Sequence, residues 1–542
     1  MNVVSRPAVR SDAAEVPTLI ASLLENAAKH PHAPAIIDGD LTIEFGQFVE
    51  DAHRLATRFA DLGVRPGDRI VLHLGHCYQA SIACYAAIML GAIAAPLNVH
   101  LKAPELARLM LRLQPAVYIG HLARRDTMND VPPDLLPFDR RFYVDRAYVD
   151  MPRAPSTGGH DLAGSSWDAL MASAHKTQLD TRPLPQPDRD AIAILLCTSG
   201  TTGEPKLVAH TQRSFAHCVD YLRKAGFGGS AAVPLAATPL FHLPGMFRLH
   251  VSLTFGQCLV LPQCLDFDGA AYLDAIERYQ CTTLALSPFG AAELIRAQAD
   301  RRRATGSLRG CVVTGDACSI ELQQRFEATF GVALPVVYGM TEAPLCVVIG
   351  STPRTVRARP GTTRIVDRNG NNVPAGMPGE LILNVPTLFD GYWISPGALE
   401  RGVDDDGWYH TGDLMREDEH GELSYVARIK DIIVRDGENI APAEIEQALL
   451  SHPAAADAAV VGVPDDVLGE RIVGFVKLAE HAADTTMQEI LAWMATRLAD
   501  HKLPEAVLRV ERIPRTPFGK ADRRALRELA RGELALLRER EA

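Results

Sequence analysis

The sequence predicts an α/β protein: a large N-terminal domain of parallel-rich αβ sheets with a small β-rich section, then a small α+β C-terminal domain. Three observations carry this prediction. From Leu41 onward, short β-like runs ("DRIVLHL", "AVYIG", "CLVLP", "TTLALS", "GCVVTG", "PVVYG") alternate with helix-like stretches rich in Ala, Leu and Arg, the pattern of parallel sheets joined by helices. Past Gly376 the pattern changes to short strands with tight turns, "GELILNVP" and "GELSYVARI". From about Asp431, helix and strand alternate afresh ("AEIEQALLSHP", "AAVVGVP", "RIVGFVKLA") and end in a charged helix, "ADRRALRELARGELALLRERE". At 542 residues the chain exceeds what one core supports, so residues 1–427 and 431–542 are read as separate domains joined at 428–430.

Taken in order, "MNVVSRPAVRSDAAEVP" lacks the apolar core of a signal peptide and reads as a frayed leader before an amphipathic helix, "TLIASLLENAAKH". Ala80 to Leu97 is uncharged and long, but its Ala/Gly content and Pro96 fit a buried helix running through Gly91 into a strand better than a membrane span. Proline-rich polar sequence from Met151 to Pro187 is an excursion. It leads to "LLCTSGTTGEPKLVAH", Leu195 to His210, where an apolar strand gives way to Thr198, Ser199, Gly200, Thr201, Thr202, Gly203 and, after Pro205, Lys206. Such a loop presents many donors and few acceptors, which suits a polyphosphate; a polar surface turn is the alternative. It is not the P-loop pattern, so its lysine is placed differently.

In "PVVYGMTEAP" a strand delivers Tyr338, Gly339 turns the backbone beside Met340, and Thr341 and Glu342 project polar groups at the strand's carboxyl end, where α/β sheets bind ligands. In "DDDGWYHTGDLM", Asp413 follows Thr-Gly and suits two ribose hydroxyls; the acid spacing does not match a calcium loop. In "ARIKDIIVRDGENIAPAEIE", Arg428 and Lys430 precede a strand, a Gly437 turn and a helix opened by Pro442. Near the end, "RIPRTPFGKADRRAL" puts Lys520 on a flexible turn, as a mobile cation or as a solvated surface lysine.

Composition excludes several classes. With 47% apolar and 22% charged residues the chain is an ordinary globular protein, and its formal net charge of -11 disfavours a nucleic-acid partner. Its 10 cysteines include no C-x-x-C pair, which suits free thiols in a reducing cytoplasm rather than disulfides or zinc. No integral membrane segment is expected, and a homodimer is left open.

Together and in this order, "TSGTTGEPK", "YGMTEA", "YHTGD", "ENIAPAEIE" and "PRTPFGK" resemble the core motifs of the adenylate-forming superfamily, which comprises acyl- and aryl-CoA synthetases, nonribosomal adenylation domains and beetle luciferases. The resemblance runs from about Leu41 to the last helix and is nearest to the acyl- or aryl-CoA synthetases. It implies two steps: a carboxylate attacks the α-phosphorus of Mg·ATP, giving acyl-adenylate and pyrophosphate, and a thiol then displaces AMP. It implies that Thr198, Ser199, Thr201, Thr202 and Lys206, with Gly200 and Gly203, hold the departing phosphates. Tyr338 and the Gly315-Asp316-Ala317 segment would frame adenine; Thr341 would touch the α-phosphate, Glu342 would carry Mg²⁺, and Asp413 and Arg428 would hold the ribose. Lys520 would bridge carboxylate and phosphate until the mobile C-terminal lid rotates about Lys430 and builds a tunnel for the thiol. The sequence departs from the family pattern at Leu207, Gln212, Ala427 and Asp436; none removes a catalytic group, and Leu207 and Asp436 leave the loop shape and the thiol approach open.

"TPLFHLPGMF", Thr238 to Phe247, matches the segment beside the acyl pocket. It offers Phe241 and His242 where amino-acid-activating members have an aspartate, and an ammonium without a partner is costly to desolvate. A non-amino carboxylic acid, fatty or aryl, is therefore expected, with His242 gating or contacting its carboxylate. Phe241, Met246, Phe289 and Met340 read either as an apolar pocket or as plain core. Arg248 either pairs a second carboxylate or, as arginines more often do, faces solvent. The thiol is CoA, or a carrier protein's phosphopantetheine arm.

Overall fold

The computed structural model describes residues 16–150, 166–173, 187–198, 205–224, 229–345, 348–359, 361–436, 438–465, 467–479, 482–516 and 519–541. Its largest sheet has eight strands in the order Ala398–Glu400, Gly391–Ser395, Lys206–Thr211, Ile192–Thr198, Ile93–Pro96, Arg69–His73, Val117–His121, Arg141–Val144. From Ile192–Thr198 to Arg141–Val144 the neighbours run parallel; the other three strands join antiparallel. Only a short loop separates Thr198 from Lys206, and a link that short returns as a hairpin, since a parallel return needs a long crossover. The parallel strands are buried on both faces, and the helix Tyr78–Leu90 is buried from Ala80 to Leu90 before Gly91 stops it in the left-handed region (φ +77°) ahead of Ile93–Pro96. The uncharged stretch is thus a core helix feeding a strand, as its sequence predicts. No helix among the described residues is long and apolar enough to cross a membrane.

A second layer joins Leu41–Glu44, Pro34–Asp38 and Leu259–Leu261 to Thr283–Leu286 and Gly310–Val313 through single bridges at Pro234 and Leu235. "PVVYG" forms no ladder: Val336 makes one bridge to Val313, and the chain then leaves the sheet to deliver Tyr338 as loop. The β-rich section is a six-stranded sheet, antiparallel throughout, that runs from Val348–Ile349 to Glu422–Arg428 and so begins earlier than Gly376.

After Glu422–Arg428 the chain passes through a 3₁₀ turn, Ile429–Asp431, into the last sheet, ordered Glu438–Ile440, Ile433–Arg435, Gly469–Leu478, Ala455–Asp465, with Ala506–Arg509 beside Gly469–Leu478. Period-two alternation along Gly469–Leu478 splits the apolar residues between two cores. Ile472 and Val476 pack with Ile445 and Leu449 of the helix Pro442–Leu450, while Val473 and Phe475 pack with Leu526 and Ala530 of the helix Arg523–Glu541.

Candidate active site

Of the loop candidates, Ser199, Gly200, Thr201, Thr202 and Gly203 lie outside the described residues; Thr198 and Lys206 flank them and pair across the hairpin. The mouth of the hairpin is fixed from the helix Ala103–Leu113. Arg112 donates to the carbonyls of Pro205 and Trp393 (2.7 Å each), and the Trp393 indole N–H returns to the Arg112 carbonyl (3.1 Å). Leu207 is fully buried in a core cluster, so this departure from the family pattern is a packing residue of the strand.

Lys206 is exposed, its ammonium 4.2 Å from the centroid of the Tyr392 ring. Tyr392 Oη donates to Glu342 Oε1 (3.0 Å) and lies 3.3 Å from Tyr409 Oη. Burial, followed by the Glu342 charge, raises the Tyr392 phenol pKa and keeps it a donor at neutral pH. Glu342 is held in turn by its backbone. Gly339 approaches Leu345 N so closely that a Cβ would lie 2.9 Å from it, Met340 and Ala343 exchange N–H···O bonds (3.3 and 3.1 Å), and the Glu342 carbonyl accepts the Phe389 N–H (2.8 Å). The Thr341 carbonyl accepts Nε2–H of the buried His210 (2.7 Å). His210, Tyr392 and Arg112 are site-building residues that sequence reasoning missed. His210 carried a signal, since period two along Lys206–Thr211 puts it on the same strand face as Lys206. Tyr392 and Arg112 carried none.

At the other end, Asp413 and Arg428 face each other in cross-strand register, with Arg428 Nε 3.0 Å from Asp413 Oδ1. Tyr338 Oη donates to Asp413 Oδ2 (2.7 Å), and Arg428 also holds the Thr411 carbonyl (2.6 Å). Burial raises the Asp413 pKa, and Arg428 and Tyr338 pull the other way. Ala427 is buried on the same strand. Gly315 takes a left-handed φ of +94°, and the Asp316 carboxylate beside Ala317 acts electrostatically on Arg523 and Glu446 of the C-terminal part.

Lys520 arrives from that part. The turn Thr516–Lys520 is closed by Thr516 N–H to the Lys520 carbonyl and Gly519 N–H to the Thr516 carbonyl (2.8 Å each). Arg515 clamps it, donating to the Gly519 carbonyl (2.5 Å) and to both Asp457 carboxylate oxygens (2.6 Å each), and lies 5.2 Å from the Phe289 ring centroid. The Lys520 charge favours the neutral form of His242, the ionised form of Asp413 and the neutral form of Lys430. His242 begins the helix Leu243–Thr254, its ring 4.7 Å from that of Phe241. Burial first, then Lys520, pushes its pKa down to about 4, so it is a neutral imidazole at pH 7. Lys430, in the 3₁₀ turn, is lowered chiefly by burial.

Two pocket expectations change. Phe241 and Met246 are 3% and 1% exposed: Phe241 packs with Val99, Tyr148 and Leu265, and Met246 with the main core, its sulfur 3.7 Å from Cys84 Sγ. Both are core: the helix Leu243–Thr254 turns Met246 into the main cluster, and Phe241, just before it, fills a small separate cluster; Phe289 and Met340 remain half-buried. Arg248, on the same helix, is half-buried, neither fully solvent-facing nor part of the core.

No cluster of three or more His, Cys, Asp or Glu able to hold a metal stands among the described residues. A single carboxylate such as Glu342 suits Mg²⁺, which typically takes one or two protein carboxylates plus substrate phosphates.

Residues 23–393 match the AMP-binding enzyme family, and residues 444–520 match the AMP-binding enzyme C-terminal domain. The chain is 32% identical to a salicyl-AMP ligase/salicyl-S-ArCP synthetase of Mycobacterium tuberculosis (94% of this chain, 90% of that one). It is 29% identical to a sulfoacetate–CoA ligase of Cupriavidus necator (93% and 96%). The solved anthranilate CoA ligase in complex with anthranoyl-AMP shares the fold, with a TM-score of 0.84 at 24% identity (97% and 99%). A family match over most of the length, two matched domains in order and a shared fold place this chain in the adenylate-forming, AMP-binding enzyme family.

Proposed function

We propose that the protein is an ATP-dependent carboxylic acid:CoA ligase acting on an acid with an apolar body and no α-amino group. The observation that supports this reading is that the charge of Lys520, from the C-terminal part, acts on both His242 and Asp413, the residues that we take to face the carboxylate and the ribose. In the first step a carboxylate oxygen attacks the α-phosphorus, the bond to the bridging oxygen of pyrophosphate breaks, and pyrophosphate leaves. Two anions must approach each other, and the Lys520 ammonium offsets their repulsion as charge builds. Thr198, Lys206 and the loop between them receive the departing phosphates, Asp413 and Arg428 take the ribose, and Thr341 reaches the α-phosphate. Mg²⁺ held by Glu342 would neutralise phosphate charge. Neutral His242 contacts the carboxylate without adding a competing charge. In the second step the thiol sulfur attacks the acyl carbon, AMP leaves, and the thiol proton passes to solvent. We place the pivot between the steps at Lys430, with domains at 1–427 and 431–542, because the 3₁₀ turn there is the covalent link between the last two sheets. Buried free cysteines suit a reducing cytoplasm.

The carrier-protein reading keeps support from the salicyl-S-ArCP synthetase relative. Acid-dependent AMP release with and without CoA tests both. Stimulation by CoA with thioester formation supports the ligase, whereas adenylate formation that only a phosphopantetheinylated carrier discharges supports the alternative. No acid-dependent AMP or pyrophosphate release would overturn both.

A further inference from the structure

Arg248 is the one charged residue of the helix Leu243–Thr254. It lies six residues after His242, or about 9 Å along the axis at about 1.5 Å per residue. One turn before it, Gly245 is pressed against the carbonyls of Thr238 and Pro239, so this face of the helix looks across the segment beside the acyl cleft. Arg248 is half-buried, so part of its side chain is withdrawn from water and part stays open to a ligand. No hydrogen bond, ion pair or cation–π contact engages its guanidinium among the described residues. Other buried or half-buried arginines differ. Arg141 donates to the carbonyls of Leu136 and Met128, Arg69 to those of Leu113 and Gln114, and Arg146 is paired with Asp38.

The titratable group nearest in effect is Cys311, on the strand Gly310–Val313, whose thiol is itself pushed up to about 12 by burial and is therefore no counterion at neutral pH. Desolvation brings Arg248 down only to about 10, so it stays charged. A buried, uncompensated charge is a large penalty in a folded protein unless something pairs with it. A guanidinium fork matches a carboxylate or sulfonate in two parallel N–H···O bonds.

We propose that Arg248 determines specificity: the acid carries a second anionic group, a carboxylate or sulfonate, at the end remote from the reacting carboxylate, and Arg248 receives it inside the acyl cleft. This rests on the acid–thiol ligase reading and narrows it. The substrate is then an anion at both ends with an apolar body between, and an apolar monoacid leaves the half-buried Arg248 without a partner among the described residues.

Acid-dependent AMP release is measured for α,ω-alkanedioates of increasing length against alkanoates of the same length, and for terephthalate and isophthalate against benzoate. The wild type, Arg248→Met and Arg248→Lys are compared, each first checked for a cooperative melt. In the wild type the best diacid should exceed its monoacid in kcat/KM by about 100-fold, the scale of losing one partner of a buried charge pair. In Arg248→Met that ratio should fall towards one, and Arg248→Lys should keep part of it. The same diacid should raise the Tm of the wild type more than that of Arg248→Met. Monoacids equal to or better than diacids in the wild type, or a ratio unchanged in Arg248→Met, would overturn the proposal and leave the ligase reading standing. Release of AMP by no acid in either series would overturn the ligase reading and this proposal with it.

Discussion

Lys520 illustrates how one side chain acquires a role from its surroundings. It is exposed on a turn, and in isolation it would be a solvated lysine; Arg515, clamped on Asp457 and lying against Phe289, sets the turn over the N-terminal site. Lys520→Ala should therefore lower adenylate formation by about 100-fold or more, as removal of one preorganised charge-stabilising donor does. Thioester formation from supplied acyl-adenylate should persist, because the proposed role confines the lysine to the step in which two anions meet. Measuring the two half-reactions separately decides this: equal losses in both would refute a one-step role. The departures at Leu207 and Asp436 resolve at this scale too. Leu207 is a core residue of a strand, and Asp436 adopts φ +49°, a left-handed conformation that glycine takes without strain and that Asp tolerates better than most side chains.

Among elements, the helix Ala103–Leu113 and the strand Gly391–Ser395 hold the phosphate hairpin through Arg112, whose charge-assisted bonds to two carbonyls are worth about 1.5–3 kcal/mol each at most. Arg112→Ala should lower stability by about 2 kcal/mol and raise the KM for ATP more than it lowers kcat, since the loop is loosened while the reacting groups stay. An unchanged KM for ATP beside a lowered Tm would mean that Arg112 only packs. The link Ile429–Asp431 carries the second prediction. A 3₁₀ turn has φ of about −50 to −70°, close to the value proline fixes, so Lys430→Pro suits the arrangement seen and opposes any other. Pyrophosphate release should continue while CoA thioester formation collapses. An overall rate equal to the wild type would exclude rotation about this residue.

Across the whole molecule, buried neutral histidines set the acid limit. Burial brings His73, His121 and His242 down to about 4 and His76 and His250 to about 3. Each folded-state pKa lies below the unfolded value of 6.5, so between the two the unfolded chain binds protons that the folded one refuses. The contribution is complete above pH 6.5 and is lost as pH falls towards 4 and 3, each ring giving up about 1.4 kcal/mol for every pH unit between its folded and unfolded values. Tm should fall steeply from pH about 6.5 downward, and His76→Leu should flatten part of that slope. A Tm that is constant from pH about 7 to about 4.5 would show that these rings are solvated.

The sequence by itself determined the alternation of strand and helix, the buried helix ending at Gly91, the five motifs and their order, because these depend on local periodicity and on residue types that few backbones tolerate. It also named Asp413, Arg428, Glu342, Tyr338, Lys206 and Lys520, whose chemistry is legible one at a time. Only the tertiary structure decided which of them meet. Tyr392 joins Lys206 to Glu342 across 186 and 50 residues of chain, and His210 reaches Thr341 across 131. Burial was likewise beyond the sequence. The helix bearing Met246 and Arg248 is read in one dimension as an apolar stretch with one misplaced charge, and only its packing turns Met246 into the core and leaves Arg248 half-buried without a protein partner among the described residues. Contacts between residues far apart in the chain, and the desolvation that follows from them, are properties of the packed molecule, and periodicity does not encode them.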